Sequence, residues 1–211
     1  MTPVTPELLL RAYAYGVFPM ARSHSDPKVY WIDPKERGVL PLDMGFHIPR
    51  SLRKTLRRGP FRVACNTDFA AVVKGCAEAT NKRPDTWIND EIESLFNELY
   101  EMGLAHSVET WHETTLVGGL YGVALGGAFF GESMFSKVAD ASKVALCHLV
   151  ARLRLGGFTL LDTQFITNHL VRFGAHEISK KEYQERLAQA LCVHATFPTK
   201  APCWMVKSHL H

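Results

Sequence analysis

Two polar side chains end an otherwise apolar segment in the last third of the chain. The stretch Leu160 to Ala175 reads LLDTQFITNHLVRFGA and places Asp162 and Gln164 two residues apart. Its first residues are typical of a buried strand, and residues i and i+2 of a strand project from the same face. We therefore expect a carboxylate and an amide side by side where a strand meets a loop. Such a pair can align an amine, because the amide oxygen accepts a hydrogen bond and the carboxylate attracts a cation.

A second chemical signal is a cluster of positive charge. No acidic residue occurs between Asp43 and Asp68, whereas the segment HIPRSLRKTLRRGPFR is rich in Arg and Lys. The spacing i, i+3, i+4, i+7 and i+8 places five cations on one stripe of a short helix, with two leucines opposite. The five cations are Arg50, Arg53, Lys54, Arg57 and Arg58. The stripe is either a solvated basic face or a surface that binds a polyanion.

The composition is that of an ordinary globular protein. The chain has 211 residues, of which 46% are hydrophobic and 21% are charged, which is enough for one large domain or one domain with a small appendage. It has no apolar run of about 18 residues, and its start lacks the features of a secretory signal. We therefore expect a cytoplasmic protein that makes no membrane contact.

The cysteines and histidines indicate no metal site. The five cysteines form no C-x-x-C pair, so they are expected to be buried thiols rather than a disulfide framework or a zinc site. They are Cys65, Cys76, Cys147, Cys192 and Cys203. The ten histidines show no H-E-x-x-H spacing, and no bound metal is expected.

Two regions differ in their patterns. Residues 1–38 predict a helix over PELLLRAYAYG, followed by loops that contain FPM and YWIDP. This region is too short to hold a core alone, so we expect a small N-terminal subdomain packed on the rest. Residues 39–211 have an α/β pattern. The expected helices lie near 49–58, 68–79, 88–103, 141–155, 168–173 and 180–192, and the expected strands near 61–65, 105–112, 116–125, 127–135 and 158–164.

The order of these elements predicts the fold class. Consecutive antiparallel strands, then a helix, a strand and a further helix, are typical of an acetyltransferase-like (GNAT-type) domain, so the expected class is α/β (α+β). Acetyl-coenzyme A enzymes usually hold pyrophosphate on a glycine-rich loop between the central strand and its helix. The corresponding linker, SKVADASK, contains no glycine. We therefore do not expect coenzyme A, and no other cofactor is indicated.

Longer motifs resemble a known family. The segments VYWIDP, DTWI, HSVETW, LVGGLYGVALGGAFFGESMFS, ASKVAL and LLDTQ, with NHLVRFGA downstream, resemble the bacterial leucyl/phenylalanyl-tRNA-protein transferases. The resemblance implies transfer of Leu or Phe from aminoacyl-tRNA to the N-terminal Arg or Lys of acceptor proteins, with Met as a further candidate for transfer. The transfer marks the acceptor proteins for degradation. It also implies a monomer, with Leu-tRNA, Phe-tRNA and the acceptor protein as partners. Members commonly have tryptophan where Met20 follows FP in this sequence.

The resemblance also implies a catalytic group. Asp162 and Gln164 match the pair proposed to assist deprotonation of the acceptor amine, with Asp162 fixing the orientation of the amide. Glu132, in FFGESMF, matches a position that contacts substrate, although a satisfied acid at a strand end is the simpler interpretation of the residue alone. Glu132 and Asp162 together would offer two negative charges to the acceptor's ammonium and its Arg or Lys side chain.

Binding residues follow from the same resemblance. Leu146, Leu149 and Leu153 lie at i, i+3 and i+7 of a predicted helix, a spacing that core residues share. The resemblance places them around the aminoacyl side chain, together with Leu120, Phe129 and Leu161. It places the terminal adenosine, on whose base an indole can stack, beside Trp31, Trp87, Gly131, Ser133 and Met134.

Two other functions remain open from the residues. A coenzyme A-dependent N-acyltransferase would require a phosphate-binding loop. A non-enzymatic RNA-binding protein would explain the basic stripe but would leave Glu132, Asp162 and Gln164 without a role. A transfer assay distinguishes the second function from an enzyme.

Overall fold

The computed structural model describes residues 4–80 and 84–200. Its helices are α1 (Pro6–Ala14), α2 (Arg50–Arg58), α3 (Phe69–Ala77), α4 (Asp90–Glu101), α5 (Ala141–Leu155), α6 (Asn168–Val171) and α7 (Lys180–Leu191). Its strands are β1 (Phe18–Met20), β2 (Tyr30–Ile32), β3 (Glu36–Leu40), β4 (Arg62–Cys65), β5 (Ala105–His112), β6 (Thr115–Leu125), β7 (Ala128–Ser136), β8 (Leu160–Gln164) and β9 (His176–Ser179). Cys203 and the end of the expected second region lie outside the described residues.

Seven of the strands form one mixed sheet, in the order β4-β5-β6-β7-β8-β3-β9. Neighbouring strands are antiparallel except β7 and β8, which are parallel. A parallel pair needs a long crossover, and α5 provides it between β7 and β8. The protein therefore has the mixed α/β class that the sequence predicts.

Local signals correctly predict several element ends. The Asn89 side chain accepts a hydrogen bond from the Ile92 N–H and caps α4, as expected of an N-cap asparagine. Ser179 caps α7 by accepting from the Glu182 N–H. Gly126, with φ 56°, supplies the left-handed conformation that a two-residue hairpin between β6 and β7 requires.

The N-terminal region contains more regular structure than the sequence predicts. The FPM and YWI segments, expected to be loops, are β1 and β2, and they pair antiparallel to each other. Three-residue strands carry too little alternation to be recognised locally. Helix α1 packs against α4 and α7 and buries Leu9 and Tyr13 completely.

Strands β3 and β9 are also absent from the sequence-based prediction. Strand β3 has an Arg within it and lies between Pro34 and Pro41, and β9 has only four residues. Both strands are held by pairing with distant partners, since β3 lies between β8 and β9. Strand β3 also crosses the boundary expected between residues 38 and 39, and that division into two regions stays a prediction.

Helices cover both faces of the sheet. Alternating residues of β6 belong to opposite core clusters: Tyr121 packs on the side of α3 and α4, and Leu120 on the side of α5. Gly118 permits close packing of α5, because a Cβ at this position would lie 2.6 Å from the Cβ of Ala141. The start of α5 is thereby held directly over β6. No helix in the described parts of the chain is long and apolar enough to cross a membrane.

Candidate active site

A cavity of about 820 Å³ opens between the sheet and helices α5 and α6. Residues of β6, β7 and β8 form one side of it, and Ser142, Leu146 and Leu149 of α5 form another. Most of the lining is apolar. Glu132 is the single acidic residue among the described residues that line the cavity, and Gln164 lies beside it.

Glu132 lies on β7 with only 7% of its surface exposed. Its Oε1 accepts two hydrogen bonds, from the Tyr13 hydroxyl at 2.7 Å and from Gln164 Nε2 at 3.0 Å. Its Oε2 is buried and has no hydrogen-bond partner within residues 4–80 and 84–200. Burial raises the pKa of the Glu132 carboxyl to about 8, while the hydrogen bonds from Tyr13 and Gln164 oppose that rise. One carboxylate oxygen is thus fixed in place by two donors, and the other has none among the described residues.

Asp162 has a different environment. It is fully buried, and Arg37 donates to it from Nε at 2.9 Å and from Nη2 at 2.6 Å. The Tyr183 hydroxyl donates at 2.7 Å as well. The Arg37 Nη1 donates to the Gly16 carbonyl at 2.7 Å, so the guanidinium is itself bound in place.

This ion pair corrects one expectation from the sequence. Glu132 and Asp162 do not offer two free negative charges to a substrate cation, because Arg37 neutralises Asp162 inside the protein. Arg37 has only 1% of its surface exposed, so solvent does not compete for the pair. Among the described residues that line the cavity, Glu132 is the one that carries a carboxyl group without a cationic partner.

The backbone at Gln164 explains how Asp162 acts on its neighbour. Gln164 has φ 59°, a left-handed conformation that costs a non-glycine residue of order 1–2 kcal/mol. Its N–H donates to Asp162 Oδ1 at 2.7 Å, while its side-chain amide reaches Glu132. The expectation that Asp162 orients the Gln164 amide is therefore corrected: Asp162 holds the backbone, and Glu132 receives the amide.

Three residues of this network were not predicted from the sequence. Arg37 lies 125 residues from Asp162 along the chain, Tyr183 lies 21 residues from it, and Tyr13 lies 119 residues from Glu132. A weak signal exists for Tyr13, which follows Leu9 by four residues on the buried face of α1. Arg37 directly follows two exposed charged residues, Lys35 and Glu36, so its burial has no local signal in the sequence.

Comparison with known proteins assigns the chain to a family. A family model described as leucyl/phenylalanyl-tRNA protein transferase matches residues 39–188, and the model of that family's N-terminal domain matches residues 3–35. The chain belongs to this family.

Relatives that bear the name leucyl/phenylalanyl-tRNA-protein transferase are similar over nearly the whole chain. The one from Paramagnetospirillum magneticum is 63% identical over 201 residues, which is 95% of this chain and 96% of the relative. The one from Rhodospirillum rubrum is 62% identical over 202 residues, covering 96% and 94%. The one from Maricaulis maris is 59% identical over 191 residues, covering 90% and 88%.

Four of the six residues expected in the transferase's aminoacyl pocket line the cavity: Leu120, Leu146, Leu149 and Leu161. Phe129 and Leu153 do not line it, although both are fully buried. Phe129 packs instead on the rings of Phe158 and Phe197, with ring centres 6.3 and 5.7 Å away. Leu153 lies seven residues after Leu146, about 10 Å along the helix, which moves it into the core beyond the cavity.

Four of the five residues expected near the adenosine also line the cavity: Trp87, Gly131, Ser133 and Met134. Trp31 does not. It lies on β2 opposite Pro19, with 38% of its surface exposed. Met20 instead joins Trp87 in the lining.

The basic stripe forms as predicted on α2. The helix buries Leu52, and its five cations are exposed. Four of them surround a shallow depression, namely Arg50, Arg53, Lys54 and Arg57. The Thr55 hydroxyl of α2 donates to Asp140 at 3.0 Å, directly before α5. The basic helix and the cavity are therefore connected through α5, which contacts both.

Proposed function

We propose that this protein transfers Leu or Phe from aminoacyl-tRNA to the N-terminal Arg or Lys of acceptor proteins. The observation that carries the proposal is the cavity, apolar over most of its lining and ending at the Glu132–Gln164 pair. Its volume of about 820 Å³ is in the range of small-molecule sites, about 300–1,000 Å³. Membership of the transferase family supports the same reaction.

The apolar lining suits the side chain that is transferred. Leu120, Leu146, Leu149 and Leu161 surround space that an aliphatic or aromatic group can fill, and burial of such a side chain stabilises binding by about 1.5–3 kcal/mol. Trp87 and Met134 lie on the same cavity, where the indole can stack on the adenine. This arrangement orients the ester carbonyl toward Glu132 and Gln164.

The basic helix suits the rest of the tRNA. Exposed Arg and Lys side chains bind phosphates without regard to sequence, and α2 carries no acidic residue to oppose them. Because α2 and the cavity share α5, phosphates bound on α2 would bring the 3′ end of the same tRNA toward the cavity.

The chemistry itself needs little assistance. Aminoacyl-tRNA is an activated ester, so the protein has to hold a neutral amine against the carbonyl carbon and accommodate the released proton. Gln164 aligns the amine through its amide oxygen, and Glu132 attracts it with the one free carboxylate oxygen. Asp162 and Arg37 act indirectly, by fixing the backbone at Gln164.

The proposal includes an assignment of the fold to the acetyltransferase-like type. A parallel β7–β8 pair joined by α5, beside a run of antiparallel strands, supports an acetyltransferase-like domain preceded by a small N-terminal subdomain. The linker between β7 and α5 has no glycine, which argues against coenzyme A as the acyl donor. We further propose that the protein works as a monomer in the cytoplasm.

A direct transfer assay tests the proposal. The protein is incubated with radiolabelled Leu-tRNA, Phe-tRNA or Met-tRNA and a peptide that begins with Arg, with the N-acetylated peptide as the matched control. Label should pass from Leu-tRNA and Phe-tRNA to the free peptide and not to the acetylated one. Binding of tRNA without transfer would favour a non-enzymatic RNA-binding protein, and transfer from acetyl-coenzyme A alone would favour the other acyltransferase class.

A further inference from the structure

We infer that Glu132 carries the proton of the reaction, taking it from the acceptor's ammonium and returning it to the departing ribose oxygen. The inference rests on the proposed transfer and assigns the role of base to Glu132 rather than to the Asp162–Gln164 pair. Its basis is that the two oxygens of the Glu132 carboxyl group differ in their hydrogen bonds.

The hydrogen bonds around Glu132 leave one oxygen free. Tyr13 and Gln164 both donate to Oε1, whereas Oε2 is buried without a partner. A buried polar atom that lacks a partner costs about 1–3 kcal/mol, a cost that a substrate N–H would remove. Since Glu132 is the only carboxylate in the part of the cavity lining that the structure describes, its second oxygen is the acceptor that we assign to an ammonium proton.

The neighbouring groups cannot exchange a proton as readily. Asp162 is held by Arg37, Tyr183 and the Gln164 N–H, and it is not on the cavity lining. Burial and the nearby Glu132 charge hold the pKa of Tyr13 well above its usual value, so its hydroxyl stays protonated and donates. Tyr121 and His169 are the other titratable groups on the lining, and burial and the charge of Lys143 lower the pKa of His169.

The pKa of Glu132 is similar to that of the α-amino group that it would deprotonate. Burial raises the pKa of Glu132 to about 8, and an ordinary α-amino group titrates at about 7.7–8.0. Proton transfer between groups of similar pKa is close to balanced in free energy, so the ionised fraction of Glu132 can take the proton at neutral to mildly alkaline pH. An exposed glutamate, with a pKa of about 4.3, would be a much weaker base.

The step balances as follows. Ionised Glu132 takes one proton from the α-ammonium, and the neutral amine attacks the ester carbonyl carbon to form the C–N bond. The tetrahedral intermediate collapses, the C–O bond to the ribose breaks, and the ribose oxygen takes the proton from Glu132. The second proton on the nitrogen leaves to solvent. The products are an amide, a free ribose hydroxyl and one proton, and Glu132 returns to its ionised form.

The deciding experiment compares two nucleophiles. Glu132→Gln keeps an oxygen to accept from Tyr13 and Gln164 but cannot take a proton. Single-turnover transfer from Phe-tRNA is measured for the native chain and for this variant, with the Arg-starting peptide and with its amino-oxy analogue, which is already neutral at the assay pH. We expect a loss of about 10²–10⁴-fold for the amine. The loss for the analogue should be at least tenfold smaller, because the analogue needs Glu132 only for the proton of the ribose oxygen and not for its own deprotonation.

Equal losses for both nucleophiles would overturn the inference, because Glu132 would then act only as a fixed charge or a structural group. Full activity of the variant with the amine would overturn it as well. Absence of transfer by the native chain to either peptide would instead contradict the proposed function, so the two failures are distinguishable.

The stability of the protein gives a second readout. A carboxyl group whose pKa is higher in the folded state than in the unfolded state loses stabilising free energy as pH rises through the folded value. Relative to Glu132→Gln, the native chain should therefore lose stability as pH rises from about 5 to about 8. A difference that does not change over this interval would show that Glu132 does not titrate there, and would overturn the assignment.

Discussion

Arg37 offers the sharpest test of the buried network. Arg37→Met keeps a side chain of comparable reach and removes the guanidinium, which leaves Asp162 charged and fully buried without its partner. Removal of one member of a buried ion pair costs about 3–5 kcal/mol. That is a large share of a typical stability of about 5–15 kcal/mol. For a chain of this size, at about 2–4 °C per kcal/mol, the melting temperature should fall by roughly 6–20 °C.

The assay is urea unfolding followed by circular dichroism at constant pH. It compares the native chain with Arg37→Met, Asp162→Asn and the double variant. The double variant removes both charges, so it should be less destabilised than the sum of the single variants by about 2 kcal/mol or more. The matched control is Arg186→Met, whose ion pair with Glu182 is 46% exposed on both sides and should contribute about 0.5 kcal/mol or less.

Additive losses in this cycle would refute the reasoning, because they would mean that the two charges do not stabilise each other. A loss at Arg37 no larger than that at Arg186 would refute it as well. If the reasoning holds, Arg37→Lys should recover part of the stability, although Lys lacks the planar fork that reaches both Asp162 oxygens and the Gly16 carbonyl.

Three other substitutions test the remaining parts of the site. Changing both Arg53 and Arg57 to Gln should weaken tRNA binding and reduce the slope of log affinity against log salt concentration by at most about two units. Transfer from a minimal aminoacyl-adenosine should persist, and an equal loss with both donors would point to misfolding. Leu149→Phe should fill part of the cavity and shift selection from Phe-tRNA toward Leu-tRNA by about 1–3 kcal/mol. An unchanged ratio of transfer from the two tRNAs in a stable variant would assign Leu149 to the core alone. Tyr13→Phe removes a hydrogen bond that lowers the pKa of Glu132, so the pH midpoint of transfer should rise. A fall in that midpoint would contradict the role given to the Tyr13–Glu132 hydrogen bond.

The sequence predicts best those features that depend on neighbouring residues. The N-cap of α4, the hairpin at Gly126 and the cation stripe of α2 each follow from residues within about one or two turns of each other, and each is confirmed. Asp162 and Gln164 were recognised in the same way, as two polar residues at the end of an apolar strand. Their locations were therefore predicted, although their partners were not.

Long-range pairing explains what the sequence could not provide. Arg37 and Asp162 are 125 residues apart, and Tyr13 and Glu132 are 119 apart, so no local pattern connects them. The rule of alternating strand faces also fails at Gln164, because its left-handed backbone ends the alternation. For Leu153, helical spacing gives the correct face of α5 but does not indicate how far along the helix the cavity extends.

The position of β3 in the sheet sets the order in which the protein can be completed during synthesis. This strand is synthesised early, yet it lies between β8 and β9. The ion-pair partner of its Arg37 is Asp162, which is 125 residues further along the chain. At about 5–20 residues per second, the ribosome needs roughly 6–25 s to supply that partner. Strands β4 to β7 pair only with their neighbours in the chain and can form a sheet during this interval. Strand β3 must stay unpaired until β8 and β9 emerge, so a nascent chain acquires its complete reaction centre only after Tyr183 has been made.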